Sequence, residues 1–379
     1  MLDGIVTWAE IDLDAISHNI QAFKRHVGEN VEIMAVVKAN AYGHGAVPVA
    51  RAALQAGATR LAVHRMIEGI ELRQAGIQAP ILIMGYTPSS GASQIVQWQL
   101  TPSLITIEFA KSLSAQAVTA GTQVPVHIKV DTGMNRYGLL PDEVLDFAKL
   151  IIKLPGLYLE GLFTHFATAD WTDQTFVLGQ LEDFNAVVAA LQSNQIRIPI
   201  LHAANSAATM RLPETHFNAV RIGIAMYGLD PSDEWSPVFD IQPALSLKSR
   251  VSRVRELPVG AGISYGRTAI TEKPTLAALV PVGYGDGFHR ILSNKGAVLI
   301  QGQRAPILGR ICMDQFVVDI TGIPDVKQDD EVVIIGCQGE ATIRAEEIGR
   351  LAGTINYEVT TSILPRVKRF YLRNHEFIQ

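Results

Sequence analysis

Eight short apolar runs recur through the first 230 residues, at 33–37, 60–63, 81–84, 102–105, 126–130, 157–164, 199–203 and 220–226. Segments of helical spacing separate most of them, as at 15–26, 46–56, 67–75, 142–153 and 174–191. Unbroken apolar runs bounded by turn residues read as strands covered on both faces, and strands alternating with helices imply a parallel sheet. Eight such units in about 230 residues match the number and length of a (β/α)8 barrel of TIM type. An open doubly wound sheet is the alternative. The first run is not followed by G-x-G-x-x-G, which weakens a dinucleotide-binding version of it. The expected α/β barrel domain spans 9–232.

After Tyr227-Gly228-Leu229-Asp230-Pro231 the texture changes. The stretch PSDEWSP reads as a linker. Beyond it come short Val/Ile-rich runs broken by Gly and Pro, at 244–254, 276–282, 297–300, 316–320 and 332–335. Only 344–352 has clear helical spacing there. A mostly β domain is expected over 233–379, with residues 1–8 packing on it.

Composition excludes several classes. With 48% hydrophobic and 18% charged residues, the 379-residue chain can bury a large core. A net charge of −5 and the lack of a long basic run argue against a nucleic-acid partner. Cys312 and Cys337 cannot build a disulfide framework and read as reduced thiols. The opening MLDGIVTWAEIDLD lacks a basic n-region and an apolar h-region, and no apolar window approaches a membrane span. The expectation is a cytoplasmic protein that does not engage a membrane.

Barrel chemistry gathers where strands end. In AVVKANAYGHG (35–45), Lys38 ends the first run. A desolvated lysine has a depressed pKa, and its neutral amine can form a Schiff base. Asn40, Tyr42, His44 and the glycines 43 and 45 offer donors and close backbone approach beside it, which suits a carbonyl cofactor carrying a phosphate. A strand-end lysine in water is the plainer reading. Lys129 and Asp131 end the fifth run, and His165 ends the sixth. Asn205 and Ser206 follow the seventh; Arg221 lies in the eighth, with Gly223 just after it.

The chain resembles the alanine racemases, pyridoxal-phosphate (PLP) enzymes of fold type III. The resemblance rests on AVVKANAYGHG at 35–45, KVDTGMNRYG at 129–138, HFATAD at 165–170 and HAANSAA at 202–208. It continues through VRIGIAMYG at 220–228, GISYGRT at 262–268, VGYGDG at 282–287, GRICMDQ at 309–315 and NYEVTTSILPRVKR at 356–369. It implies a homodimer that interconverts L- and D-alanine by a two-base mechanism on a PLP aldimine, supplying D-alanine for peptidoglycan. Lys38 then carries the cofactor and serves as base on one face of the substrate. Tyr265 of the partner subunit serves on the other, and nearby positive charge must lower its phenol from a pKa of about 10.

The same resemblance implies supporting roles. His165 bonds Tyr265 and Arg221, and Arg221 faces the pyridine nitrogen of PLP. A guanidinium only donates, so that nitrogen stays unprotonated, which limits transamination. The phosphate falls to Tyr42, Ser206, Tyr357 and the backbone of Gly223 and Ile224, with Asn205 in support. Ser206 as a helix N-cap is compatible with that. Arg136 takes the substrate carboxylate; Met313 and Asp314 come from the partner subunit. Tyr284 lies at the substrate's approach, with Tyr357 near it. Lys129 is carbamylated and orients Arg136, or else pairs with Asp131. No metal is implied. A racemase of serine or lysine would use the same bases; a decarboxylase of this fold would set a carboxylate where Arg221 stands. A non-catalytic PLP carrier would lack the second domain. The segment at 61–65 is less typical of the family, and His64 and Arg65 have no account in the sequence.

Overall fold

A computed structural model describes residues 3–378. The contacts divide the chain into two compact units: Ile16–Ala41 with Ala46–Gln242, and Tyr42–Gly45 with the chain up to Ala15 and from Pro243 onward. The first strand, β1 (Thr7–Asp12), belongs to the second of these.

The first unit holds eight parallel strands: β2 (Glu32–Val36), β3 (Arg60–Val63), β4 (Ile81–Ile83), β5 (Thr101–Leu104), β6 (Val124–Lys129), β7 (Leu157–Phe163), β8 (Ile200–His202) and β9 (Ala219–Ile222). They bond in the order β8-β7-β6-β5-β4-β3-β2-β9. Each expected run is therefore a strand. Their residues lie almost wholly out of water, Ile33, Leu61, Ile81 and Leu162 among them. Both faces are covered, which is why these strands carry little polar alternation. The eighth run is shorter than expected. Gly223 turns the chain at φ −107°, ψ −105°, and Ile224–Tyr227 coils into a 3-10 turn.

Helices α1 (Leu13–Val27), α2 (Ala46–Gln55), α3 (Met66–Gln74), α4 (Ala92–Gln97), α5 (Ile107–Thr119), α6 (Val144–Ile151), α7 (Thr175–Ser193) and α8 (Ser206–Arg211) alternate with the strands. The PSDEWSP stretch is strapped to the barrel unit rather than loose. Ser232 Oγ and Trp235 Nε1 both donate to the Asp170 carbonyl, at 2.5 and 2.9 Å.

The ladder is incomplete between β8 and β9. One backbone bond crosses there, from Arg221 N–H to Ala204 C=O at 3.1 Å. Side chains supply the rest. At one end Asn218 imitates a strand residue, its Oδ1 accepting from Leu201 N–H and its Nδ2 donating to Pro199 C=O. At the other, the Arg221 guanidinium donates to the carbonyls of His202 and Ala203.

In the second unit β1 lies between β10 (Leu245–Arg250), antiparallel, and β20 (Lys368–Arg373), parallel. Strand β10 buries every second residue, the pattern of a sheet covered on one face. The remaining strands, β11 (Arg253–Leu257) to β19 (Ala341–Ile343) and β21 (Glu376–Ile378), pair antiparallel. Helix α9 (Ala345–Ala352) fits the expected one. A second helix, α10 (Asn356–Thr361), was not anticipated, because six residues are too few to show a helical period. Both cysteines are free thiols, and no helix among the described residues is long and apolar enough to cross a membrane.

Candidate active site

Lys38 follows β2 by two residues and opens a left-handed turn. Ala39, Asn40, Ala41 and Tyr42 stand in succession at φ of 52–53°. For L-residues that conformation costs about 1–2 kcal/mol each, hence roughly 4–8 kcal/mol for the turn. Hydrogen bonds that hold it include Ala41 N–H to Val37 C=O at 2.9 Å, Ala39 N–H to Glu68 Oε1 at 2.6 Å, and Ala46 N–H to Asn40 Oδ1 at 2.8 Å. The Asn40 side-chain oxygen thus serves the backbone. The glycines 43 and 45 also differ from expectation. A Cβ on Gly43 would strike the Thr360 carbonyl, and one on Gly45 the Tyr371 hydroxyl. They are small for packing within their own unit.

The Lys38 amine is held below its ordinary pKa, first by burial, then by Arg136 and Arg221, with Glu68 opposing. Lys129, at the end of β6, is lowered to about 8 by burial and by Arg136 and Arg221. Its ammonium lies 5.1 Å from the Tyr137 ring centre and 5.7 Å from that of Phe163. Asp131 is not its ion-pair partner. That carboxylate accepts the backbone N–H groups of Gly133, Asn135 and Arg136 at 2.9–3.1 Å, which shapes the loop carrying Arg136.

Arg221, in β9, is 3% exposed. Nη1 donates to His202 C=O at 3.0 Å and His202 Nδ1 at 2.9 Å. Nη2 donates to the carbonyls of Thr164 and Ala203, both at 2.8 Å, and approaches His165 Nδ1 at 3.3 Å. These acceptors use the four terminal N–H groups, and Nε–H remains. Burial lowers this guanidinium to about 9, so it stays cationic at neutral pH. Since Arg221 only donates, His165 Nδ1 accepts and its proton sits on Nε2. Burial and Arg221 keep that ring neutral, well below its usual range.

Two of the residues expected to hold a phosphate meet: Ser206 Oγ accepts Gly223 N–H at 3.0 Å. The N-cap of α8 is Asn205, whose Oδ1 accepts Ala208 N–H, so Ser206 is not the cap. Ile224 opens the 3-10 turn beyond Gly223.

In the second unit Tyr42 and Tyr357 approach, with ring centres 6.1 Å apart. Burial raises the Tyr42 phenol above its ordinary pKa. Tyr265 is 69% exposed, on a turn led by Ser264 at φ 60°, ψ −171°, a region almost reserved for glycine. Ser264 Oγ ties the turn down by donating to Arg310 C=O at 2.6 Å. Arg366 bonds Asp286 at 2.6 and 2.9 Å and Asp314 at 2.9 Å, and so joins the Tyr284 loop to the Met313–Asp314 loop. Gly285 N–H donates to the Met313 carbonyl at 2.8 Å; Met313 itself is exposed.

Sequence reasoning missed Glu68, Arg366 and the buried pair His127 and His202 with the half-buried Glu160 beside them. Glu68 was findable, because it stands three residues into α3, where an acidic side chain reaches back to the N-cap backbone. His127 and His202 sit within apolar runs, and their link depends on strand order that no spacing reveals.

Comparison with known proteins bears on this arrangement. The family "Alanine racemase, N-terminal domain" matches residues 11–231, and "Alanine racemase, C-terminal domain" matches residues 244–371. An alanine racemase of Clostridium perfringens is 46% identical over 374 residues, 98% of this chain and 97% of that one. One from Desulforamulus reducens is 47% identical over 367 residues, 96% of this chain and 98% of its own. The crystal structure of alanine racemase from Bacillus anthracis with bound L-Ala-P aligns with a TM-score of 0.93 at 41% identity, covering 98% of this chain and 96% of that one. With both domains matched in order and nearly the whole length covered, the chain belongs to the alanine racemase family.

Proposed function

We propose that the protein is a PLP-dependent racemase acting on alanine, with a substrate site completed by a second copy of the chain. The observation that carries this is Arg221: its terminal nitrogens are committed to protein acceptors, and Nε–H alone remains for a ligand. That donor suits a pyridine nitrogen, and the lowered Lys38 amine suits covalent attachment of a carbonyl. The Ser206 hydroxyl proton and the Ile224 N–H suit the phosphate, with Gly223 N–H holding the Ser206 oxygen in place and Asn205 bracing the turn. The hydroxyls of Tyr42 and Tyr357 belong to the same assignment. When bound, PLP supplies an electron sink for the substrate's α-carbon.

The chain's own groups then handle protons and charge. Lys38 Nζ takes or returns the α-proton on one face. Tyr265 Oη of the partner subunit does so on the other, and the exposed, strained turn that presents Tyr265 favours that reach. His165, with its proton on Nε2, is a donor for that phenolate. Arg136 holds the substrate carboxylate, joined by Met313 N–H and Asp314 of the partner subunit, while Tyr284 narrows the approach. Lys129, part neutral near physiological pH, can take up carbon dioxide; the resulting anion would steer Arg136. The product, D-alanine, suits peptidoglycan synthesis in the cytoplasm.

Chiral chromatography of L-alanine incubated with PLP-loaded protein tests the reading, with L-serine and L-lysine alongside. Rapid approach to equal D- and L-alanine supports it. No D-alanine from protein that has bound PLP would overturn it, and turnover of serine or lysine alone would reassign the substrate.

A further inference from the structure

Glu68 lies outside every role assigned above, yet its carboxylate touches the segment that carries Lys38. Oε1 accepts Ala39 N–H at 2.6 Å, the first amide of the left-handed turn. Oε2 accepts the amides of His64 and Arg65 at 2.8 Å each, where β3 gives way to α3. One side chain therefore spans two strand ends of the barrel rim. It holds three N–H groups, none of which has a place in a strand ladder.

We propose that Glu68 is the positioning residue for Lys38, clamping the left-handed turn to the start of α3 so that the lysine leaves the rim in one fixed direction. The geometry supports this in two ways. The turn is made of residues that disfavour it, so it persists only where outside bonds over-determine it. A carboxylate taking backbone amides makes charge-assisted bonds, stronger than neutral ones. Glu68 is also the anion that offsets Arg136 and Arg221 at the Lys38 amine. The clamp gives the His64-Arg65 segment a role as well. Those residues act through their main-chain amides, which any residue but proline supplies.

The proposal rests on Lys38 as the attachment point, and the test separates the two. The full-length protein carrying PLP is compared with Glu68→Gln and Glu68→Ala, thermal unfolding being followed in each. Amide exchange over 38–41 reads the clamp whichever lysine holds the cofactor. Glu68→Ala is expected to raise it about tenfold or more, with barrel strands unchanged. Glu68→Gln keeps an acceptor oxygen and loses the charge. It is expected to lower the pH midpoint of the lysine-bound cofactor's absorbance by about half a pH unit, and to reduce kcat more than it changes KM. Unchanged exchange over 38–41 in Glu68→Ala would overturn the clamp. So would an unmoved midpoint in Glu68→Gln accompanied only by lower thermal stability, which is what a merely structural residue gives. Borohydride reduction and peptide mapping of the wild-type protein report separately on the attachment point.

Discussion

Arg221 Nη1 donates to His202 Nδ1 at 2.9 Å, and this contact sets the protonation of the groups behind it. With Nδ1 an acceptor, His202 carries its proton on Nε2 and donates to His127 Nδ1, also at 2.9 Å. His127 must then donate from Nε2 to Glu160, at 3.0 Å, and Glu160 is paired in turn with Arg60. The chain runs one way through the barrel, and the His202 ring is also stacked on Phe163 at 4.7 Å. Replacing His202 with Ala strips partners from Arg221 and His127 and removes the stack. The expected loss is about 3 kcal/mol of stability by urea titration, with a roughly tenfold fall in kcat/KM. A loss below about 1 kcal/mol would mean that water takes over the ring's bonds.

Acid should unfold the protein from near neutrality downward. Burial holds His127, His165 and His202 below their ordinary pKa, so the native state keeps these rings neutral where the unfolded chain protonates them. The unfolded state then binds more protons below about pH 6.5, and stability rises with pH in that window. Melting temperature should therefore fall steadily from pH 7 to 5, and less steeply in His202→Asn. Glu160 and Asp131, whose pKa values are lowered, add a second loss below about pH 4.5. A flat profile between pH 7 and 5 would contradict neutral buried rings.

A mixing experiment tests the proposal that two copies of the chain share each site. Lys38→Ala and Tyr265→Ala should each be inactive alone. Exchanged into hybrid dimers, they should recover up to about a quarter of wild-type activity per active site, because one of the two sites in a hybrid is intact. No recovery, with exchange of chains demonstrated, would mean that Tyr265 acts within its own chain.

Lys129 should be found modified. Its pKa of about 8 leaves part of the amine neutral and able to react with carbon dioxide near physiological pH. Native mass spectrometry should show one added carbon dioxide, lost on acidification. An unmodified amine in bicarbonate-equilibrated protein would leave Arg136 steered by its loop alone.

The Tyr265 turn can be probed by a pair of substitutions. Ser264→Ala and Ser264→Gly both lose the hydroxyl bond to Arg310 C=O, but only glycine relaxes φ 60°, ψ −171°. The glycine variant should be the more stable by about 1–2 kcal/mol. Equal stabilities would indicate that the turn carries no strain.

Much of this was legible before any coordinates. The barrel strands announce themselves because parallel strands covered on both faces cannot alternate in polarity, as Ile33 to Val36 show. The rim positions of Lys38 and Lys129 follow from the places where those runs stop, whereas Arg221 is a charged residue inside its run. What stayed hidden depends on conformation or on distant pairing. No propensity foretells left-handed backbone at Ala39 and Ala41, because alanine is a strong former of the opposite hand. The glycines at 43 and 45 look like ligand-loop residues in the sequence, and only the Thr360 and Tyr371 neighbours explain them. Asp131 looked like a partner for Lys129 two residues away, but three backbone amides nearer its oxygens claim it.

The seam between β8 and β9 has a consequence of its own. Peptide groups close the rest of the ring, and peptide groups do not mutate. Here one backbone hydrogen bond crosses and the side chains of Asn218 and Arg221 supply the rest, so a single codon can weaken the closure. The arginine proposed to give its last N–H to a ligand is also a staple of the ring. Evolution therefore cannot retune the one property without renegotiating the other, and this part of the barrel inherits its chemistry and its architecture as a single trait.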